Sequence, residues 1–505
     1  MTASNTPIGD PVLTASLQAE GMVIRDQARI PEFNLPEEPE LLQTRLDELR
    51  ASRLPVEERL PELERIFFRT KTAVEKRLPV LAASSFPIHR KNRQLVRSLH
   101  RLLSSLVDDQ LILLKEVEAR EPRNILLPTE LILWRTLQLL AWHLLISDLA
   151  AAPPSVGVWQ QLHHTYAQAL EQDVAQKIPK GASISLQHLY YAAVLLGCAQ
   201  PASFSSREIG FVADYLESFA DQTDPGNDTT PESPAAFWID TTRDAPAIAC
   251  SRKSPPPDTV IHYFCCDRIA ELLRNQLDSL EQGMQPSQIG LPEFAGTPPG
   301  RGVMRRLIGH WGDPGKRRFP RRRQNYRAAL CTGLGNLWQM FHAKESLPVD
   351  TSSWMIINES PDGYAVMHVS GKTGPITVGD VTAIRTETGD NWQICLVRWA
   401  LSENQEHFEL GLQIIATRAI PAILAAPTTA STPEPLSVLV LPEIPSLRAA
   451  EMLVVPTGTL DNQTRNLILM LEKENLEIRE VRSTGLNEQN GQIEVFTIEP
   501  ESPPA

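Results

Sequence analysis

The chain has 505 residues, 42% of them hydrophobic, and a formal net charge of −13. That length predicts about two to four domains, and the apolar content excludes a wholly disordered chain. The acidic balance excludes nucleic-acid or anionic-membrane binding by the surface as a whole.

Residues 1–38 are Pro-rich and polar and read as a flexible tail. They contain no basic segment followed by an apolar stretch, so no signal peptide is expected and the location read from them is cytoplasmic. From 39 to 221 the apolar period is helical. Leu95, Leu99, Leu102, Leu106, Leu113 and Val117 recur at three- and four-residue steps, which puts them on one face. Leu186, Leu189, Ala193 and Leu196 repeat the pattern. Ile209, Val212, Leu216 and Phe219 do so again behind a capping box at Ser205 and Glu208. About six to eight helices packed as a bundle are expected. Leu131 to Leu149 is the most apolar stretch, but Arg135, His143 and Asp148 interrupt it. It reads as a core helix and not as a membrane insertion.

Residues 222–300 read as a linker with short mixed elements: possible strands within Phe237 to Cys250, a helical pattern from Tyr263 to Gln282, and Thr/Pro/Gly punctuation at Gly296 to Gly300. Val303 to Trp311 suits one more short helix. The block 301–425 then changes character. After a strand-like Ala328 to Thr332 come Trp354–Ile357, Tyr364–Val369, Asp380–Arg385, Trp392–Trp399 and Phe408–Ile415, which are short, rich in β-branched or aromatic residues, and separated by glycines and Asx residues. This is the pattern of a small antiparallel barrel. Trp354, Trp392 and Trp399 read as barrel core in preference to ligand stackers, and Arg398 as an outward strand residue, with lining the site as its lesser alternative. Residues 426–505 read as a β-rich extension with one helix near Arg465 to Lys473 and a disordered end. The fold class is multidomain α+β: an N-terminal helical bundle, an antiparallel β-barrel and the β-rich extension.

The usual catalytic and metal motifs are missing from the sequence. Gly371-Lys372-Thr373 lacks the glycine that a phosphate loop needs five positions earlier, where Val366 stands, and reads as a hairpin turn. Cys198, Cys250, Cys265, Cys266, Cys331 and Cys395 form no C-x-x-C and have no histidine at zinc spacing. No nucleophile with a base and an orienting residue can be picked out. The expectation is no enzyme, no metal and no cofactor.

One constellation does carry chemistry. Between Arg301 and Arg327 lie nine arginines and Lys316 against the single acid Asp313, a basic belt on an acidic chain. Within it Arg323 and Arg327 form R-x-x-x-R, with Arg322 as a further candidate contact; Arg317 with Arg321 and Arg318 with Arg322 have the same spacing. Downstream, Asn358, Ser360 and Gly363 form N-x-S-x-x-G. Arginine presents a planar, permanently charged fork that takes phosphate oxygens bidentately, matches the O6/N7 edge of guanine and stacks on purines. Asn358 and Ser360 add neutral hydrogen-bonding groups, and Gly363 permits a turn and close approach.

The order and spacing of these two motifs, with the strands after them, resemble the PilZ domain over roughly residues 318 to 418. Ile384-Arg385, Val397-Arg398-Trp399 and Leu410-Gly411-Leu412 are similar to that family's later strands. The resemblance implies a PilZ-like barrel that binds cyclic di-GMP through Arg322, Arg323, Arg327, Asn358, Ser360 and Gly363. A long helical region ahead of the barrel is similar to FimW-type receptors linked to surface attachment and type IV pili, and implies a protein partner for the helical module. The expected mechanism is that the ligand orders the self-repelling segment 316–327. Two alternatives stay open: a barrel that only docks proteins, and a nucleic-acid binder using the basic belt. The latter suffers from having only Phe319 and Tyr326 as nearby aromatics.

Overall fold

The helical period of the first half is realised in seven helices: α1 (Glu38–Ala51), α2 (Val56–Ala82), α3 (Arg90–Glu118), α4 (Thr129–Leu149), α5 (Val158–Glu171), α6 (Leu186–Cys198) and α7 (Ser206–Phe219). The computed structural model describes residues 38–119, 127–226, 232–257, 259–316, 319–342, 350–402, 407–425, 435–443, 450–460, 466–472 and 476–501. The stripe of α3 from Leu95 to Val117 is buried throughout. Helix α4 is apolar on nearly all sides because it is the bundle's centre; Arg135 inside it pairs with Glu64, and His143 stacks on His100 at 4.0 Å between ring centroids. The capping box opens α7, where buried Glu208 also pairs with Arg306. No described helix is long and apolar enough to cross a membrane.

Next comes a small antiparallel sheet: β1 (Asp224–Pro225), β2 (Ala236–Asp240), β3 (Ile248–Ala249) and β4 (Ile261–Cys265), in the order β1-β4-β2-β3. Helices α8 (Asp267–Glu281) and α9 (Pro298–Gly312) follow. The stretch 222–300, read as a linker with short mixed elements, is packed: its Phe237, Phe264 and Leu273, with Val303 and Trp311 of α9 after it, share one apolar core with the seven helices.

A closed six-stranded barrel follows: β5 (Arg322–Thr332), then helix α10 (Leu334–His342), β6 (Ser352–Ser360), β7 (Gly363–Ser370), β8 (Val381–Thr386), β9 (Gln393–Ser402) and β10 (Phe408–Ala416), in the order β10-β7-β6-β5-β8-β9. Trp354, Ile356, Val366, Ile384, Val397 and Leu410 fill it. The first strand starts at Arg322, six residues before Ala328. Its arginines point to solvent and carry no apolar pattern, and pairing with β6 is what holds them extended. Gly371, at φ 94°, lies in the connection from β7 to β8; those strands are not neighbours, so the expected hairpin there is instead a crossing connection.

The β-rich extension is a second closed barrel: β11 (Ile420–Ala425), β12 (Leu436–Leu441), β13 (Glu451–Pro456), β14 (Asn466–Glu472), β15 (Leu476–Gln489) and β16 (Ile493–Pro500). Counted from its own first strand, it has the same six pairings as the first barrel: 1–2, 2–3, 3–6, 6–5, 5–4 and 4–1. The helix expected near Arg465 to Lys473 is strand β14 over its described part. Leu467, Leu469 and Leu471 are buried while Ile468 between them is exposed, a period of two that the continuous apolar run concealed. Residues 1–37 and 502–505, read as a tail and a disordered end, lie outside the described residues.

Helix α10 joins the barrels. Leu337 is buried in a cluster drawn from both, and Trp338 Nε1 donates to the Ala422 carbonyl at 2.9 Å. The helical region docks on the first barrel through Phe86, whose carbonyl accepts from Ile376 N at 2.8 Å, and through Ala151, whose carbonyl accepts from Ser402 N at 2.7 Å.

Candidate functional site

The N-x-S-x-x-G turn closes the β6–β7 hairpin at one end of the first barrel. Ser360 Oγ donates to Asp362 Oδ1 at 2.5 Å, and its hydroxyl also lies 3.2 Å from the Gly363 carbonyl, which fixes the turn. Gly363 is required by close approach. A Cβ there would stand 2.0 Å from the carbonyl oxygen of Leu412 on β10, so any side chain would pry the two strands apart.

Around this turn lies a cavity of about 210 Å³, lined by Asn358, Ser360 and Gly363 together with Phe319, Arg321, Glu359, Asp362, Tyr364, Arg398, Trp399, Gly411 and Gln413. Strand register explains its floor. Arg323 pairs with Asn358, Asn358 with Ala365, Ala365 with Gly411, and Gly411 with Trp399, a continuous row across five strands. Partners in register share a face of the sheet. The row therefore sets an arginine and an amide at one side, two small residues in the middle, and an indole at the other side. Trp399 lies across Gly411, where a Cβ would meet its Nε1 at 1.7 Å. The indole is half-buried on the outer face of the sheet, which corrects its reading as barrel core; Trp354 is core as expected. Trp392 is half-buried, with the Arg385 guanidinium 4.8 Å from its ring centroid.

Charge in the cavity is paired. Arg398 Nε donates to Gln413 Oε1 at 2.6 Å, and its Nη1 donates to Glu488 Oε2 at 2.8 Å. Tyr326 Oη donates to Glu359 Oε2 at 3.1 Å, and Tyr364 Oη to Gln393 Oε1 at 2.8 Å. Burial first, and the Glu359 carboxylate second, push both phenols above the ordinary tyrosine range, so they remain neutral donors. The site thus offers guanidinium groups for an anion and an aromatic wall over a flat floor for a ring. Its volume is smaller than that of the usual ligand pocket, ~300 Å³ or more.

The structure brings Asn358, Ser360 and Gly363 together around this cavity. Arg322 and Arg323 are exposed at its edge, opposite Glu359 and Asn358 in the register. Arg327 lies apart, in an open depression with Arg385, Glu387 and Asp390. Arg317 and Arg318 lie outside the described residues. Arg321 lines the cavity although its motif was the less favoured. Sequence reasoning preferred barrel core to a stacking role for Trp399 and singled out neither Gly411 nor Gln413 as site residues; an aromatic facing a glycine across two strands was the signal that could have found them.

Two family models match the chain. One describes the N-terminal domain of the cyclic-di-GMP receptor FimW and matches residues 27–228; the other describes the middle PilZ domain of that receptor and matches residues 339–421. The first barrel is thus a PilZ domain. Its matched stretch contains Asn358, Ser360, Gly363, Arg398 and Trp399, and begins after the arginine segment. The chain is also 22% identical to the cyclic-di-GMP receptor FimW of Pseudomonas aeruginosa, over 95% of this chain and 90% of that one. The two models together cover more than half of the sequence, in the order of that receptor's domains. The chain belongs to the FimW family, a family of receptors and not of enzymes.

Proposed function

We propose that the chain binds cyclic di-GMP at this cavity and couples its level to surface attachment, pilus or motility behaviour. Arg322 and Arg323 supply the cationic side at the cavity edge, and Arg327, in its separate depression, meets only the part of the ligand that extends beyond the cavity along β5. Asn358, Ser360 and Gly363 supply the neutral side, and Trp399 the stacking wall. The observation that carries this reading is the register row Arg323–Asn358–Ala365–Gly411–Trp399, which spans the distance from a charged fork to an aromatic face. A ligand that carries both phosphates and purines uses both ends; a simple phosphate uses one. A dinucleotide is larger than the cavity and extends from it toward the exposed arginines.

Because Arg322–Thr332 is held by β6, the segment that the ligand orders is the chain ahead of it, up to Arg321. Like charges there repel, and a compact dianion neutralises them and clamps the segment on the barrel, an order–disorder device. The helical module is the surface that meets a protein partner.

Calorimetry with cyclic di-GMP, GTP and a short oligonucleotide tests the reading. Heat with the cyclic dinucleotide is expected, weakened about ten- to a hundredfold in Arg323→Ala, as the loss of a charge-assisted hydrogen bond of ~1.5–3 kcal/mol requires. No heat with it favours a protein-docking barrel. A steep salt slope with the oligonucleotide favours nucleic acid. Limited proteolysis near Arg321 that is indifferent to nucleotide removes the ordering mechanism.

A further inference from the structure

The C-terminal barrel reaches an arginine that lines the same cavity. Near the end of β15 the register slips between Leu486 and Glu488, and such a bulge re-aims a side chain. The re-aimed carboxylate of Glu488 meets Arg398, the pair being 18% and 37% exposed. The hairpin that carries Glu488 is anchored on two further sides. Asn490 Nδ2 donates to the Gly379 carbonyl at 3.1 Å, while its Oδ1 accepts from Gln492 N and Ile493 N. Arg305 Nη1 on α9 donates to Gln489 Oε1 at 2.8 Å, and Gly302 of the same helix lies so close that a Cβ would stand 2.2 Å from the Gln489 carbonyl oxygen. One hairpin therefore touches the cavity's arginine, the rim of the first barrel and a helix of the N-terminal region.

A carboxylate and a phosphate make the same demand on a guanidinium fork, two oxygens in its plane. Arg398 gives its Nε to Gln413 and its Nη1 to Glu488, so a phosphodiester seated in the cavity meets a fork with part of its donors already engaged. We propose that Arg398 is a ligand-binding residue of this cavity and that Glu488 is a competing carboxylate, displaced from Arg398 by a ligand phosphate. The displacement frees one of the hairpin's anchors and passes occupancy of the PilZ barrel to the C-terminal barrel and to α9. This rests on the reading that the cavity takes a phosphodiester ligand.

Calorimetry on the full-length chain with cyclic di-GMP, for the wild type, Arg398→Ala and Glu488→Gln, tests it. Glu488→Gln keeps the shape and removes the charge, and is expected to bind about two- to fivefold tighter, the range that a partly exposed ion pair can supply. Arg398→Ala is expected to bind about tenfold weaker or worse. Amides of the 486–493 hairpin are expected to exchange faster with ligand bound. If the wild type binds while both variants match it, the competition is refuted and the receptor reading stands. If none of the three binds, the receptor reading falls and the proposal with it. Binding by Glu488→Gln where the wild type shows none supports the competition in its strongest form. Hairpin exchange unmoved by bound ligand overturns the coupling.

Discussion

Trp399 is the side chain on which the two ends of the proposed site depend most differently. Its indole lies across Gly411 on the outer face of the sheet and is only half-buried, so alanine there removes the aromatic wall without opening the barrel core, which is filled from the other face. Stacking of a base on an aromatic side chain is worth ~1–3 kcal/mol by alanine substitution, or about five- to a hundred-and-fifty-fold in affinity. Trp399→Ala should therefore lower affinity for cyclic di-GMP within that range in calorimetry, with nearly the same loss at low and high salt. Arg323→Ala should instead lose more at low salt. Gly411→Ala provides an independent check. Its new Cβ would stand 1.7 Å from Trp399 Nε1 and 2.2 Å from two further ring atoms, all belonging to a side chain that can swing aside. It should reproduce the binding loss by displacing the indole. A Trp399→Ala protein that binds within twofold of the wild type refutes the stacking role, and a melting temperature that collapses in Trp399→Ala shows the ring to be structural.

Other consequences reach beyond the ligand. Gly363→Ala places a methyl against the Leu412 backbone, which has no room to yield, and should destabilise by ~1–3 kcal/mol in chemical denaturation. Asp244 caps α5 from 85 residues away: Oδ2 accepts from Gly157 N at 2.6 Å and Oδ1 from Trp159 N at 3.0 Å. Asp244→Ala should cost ~1–2 kcal/mol, read as a lowered denaturation midpoint. Asp148 lines a small cavity where the helical region meets the first barrel, and burial raises its carboxyl to about 8 from 3.8. The folded chain keeps a proton there that the unfolded chain releases, so the associated stability is complete below about pH 4 and is lost as pH rises to about 8. Asp148→Asn should gain on the wild type with rising pH across that window, by on the order of 1 kcal/mol per unit; parallel pH–stability curves would refute this.

Sequence patterning revealed the elements that bury a face and missed those held by a partner strand. The α3 stripe and the strands from Trp354 to Ile415 were legible because each has its own apolar period bounded by turn residues. The start of β5 was not, since Arg322 to Arg327 buries almost nothing and gains its conformation from β6. Helix α10 was hidden for a related reason: Leu337 and Trp338 pack between the first barrel and a second one, whose contact with Trp338, at Ala422, lies 84 residues further along the chain. In the site, the motif residues Asn358, Ser360 and Gly363 fall together because one turn contains all three. Arg398, Trp399 and Glu488 come from strands that only barrel closure makes neighbours, and Glu488 comes from a different barrel altogether.

The two barrels separate what the fold supplies from what the site requires. They share all six strand pairings, so closure, strand order and the position of the hairpin between second and third strands are common to both. In the first barrel that hairpin is Asn358-Glu359-Ser360-Pro361-Asp362-Gly363, with arginines entering the first strand. In the second, the chain between Leu441 and Glu451 contains no N-x-S-x-x-G, and only Arg418 precedes β11 closely. The same backbone thus lacks the motif chemistry a second time, as expected when function is grafted onto a fold and not inherent in it. What the second barrel does contribute is Glu488, a single carboxylate delivered by a bulge to the arginine of the first. A second barrel of the same strand order that lacks this motif between its second and third strands, yet sets a carboxylate on the arginine of its neighbour's cavity, is placed to respond to that neighbour's occupancy if Glu488 competes for Arg398 as proposed.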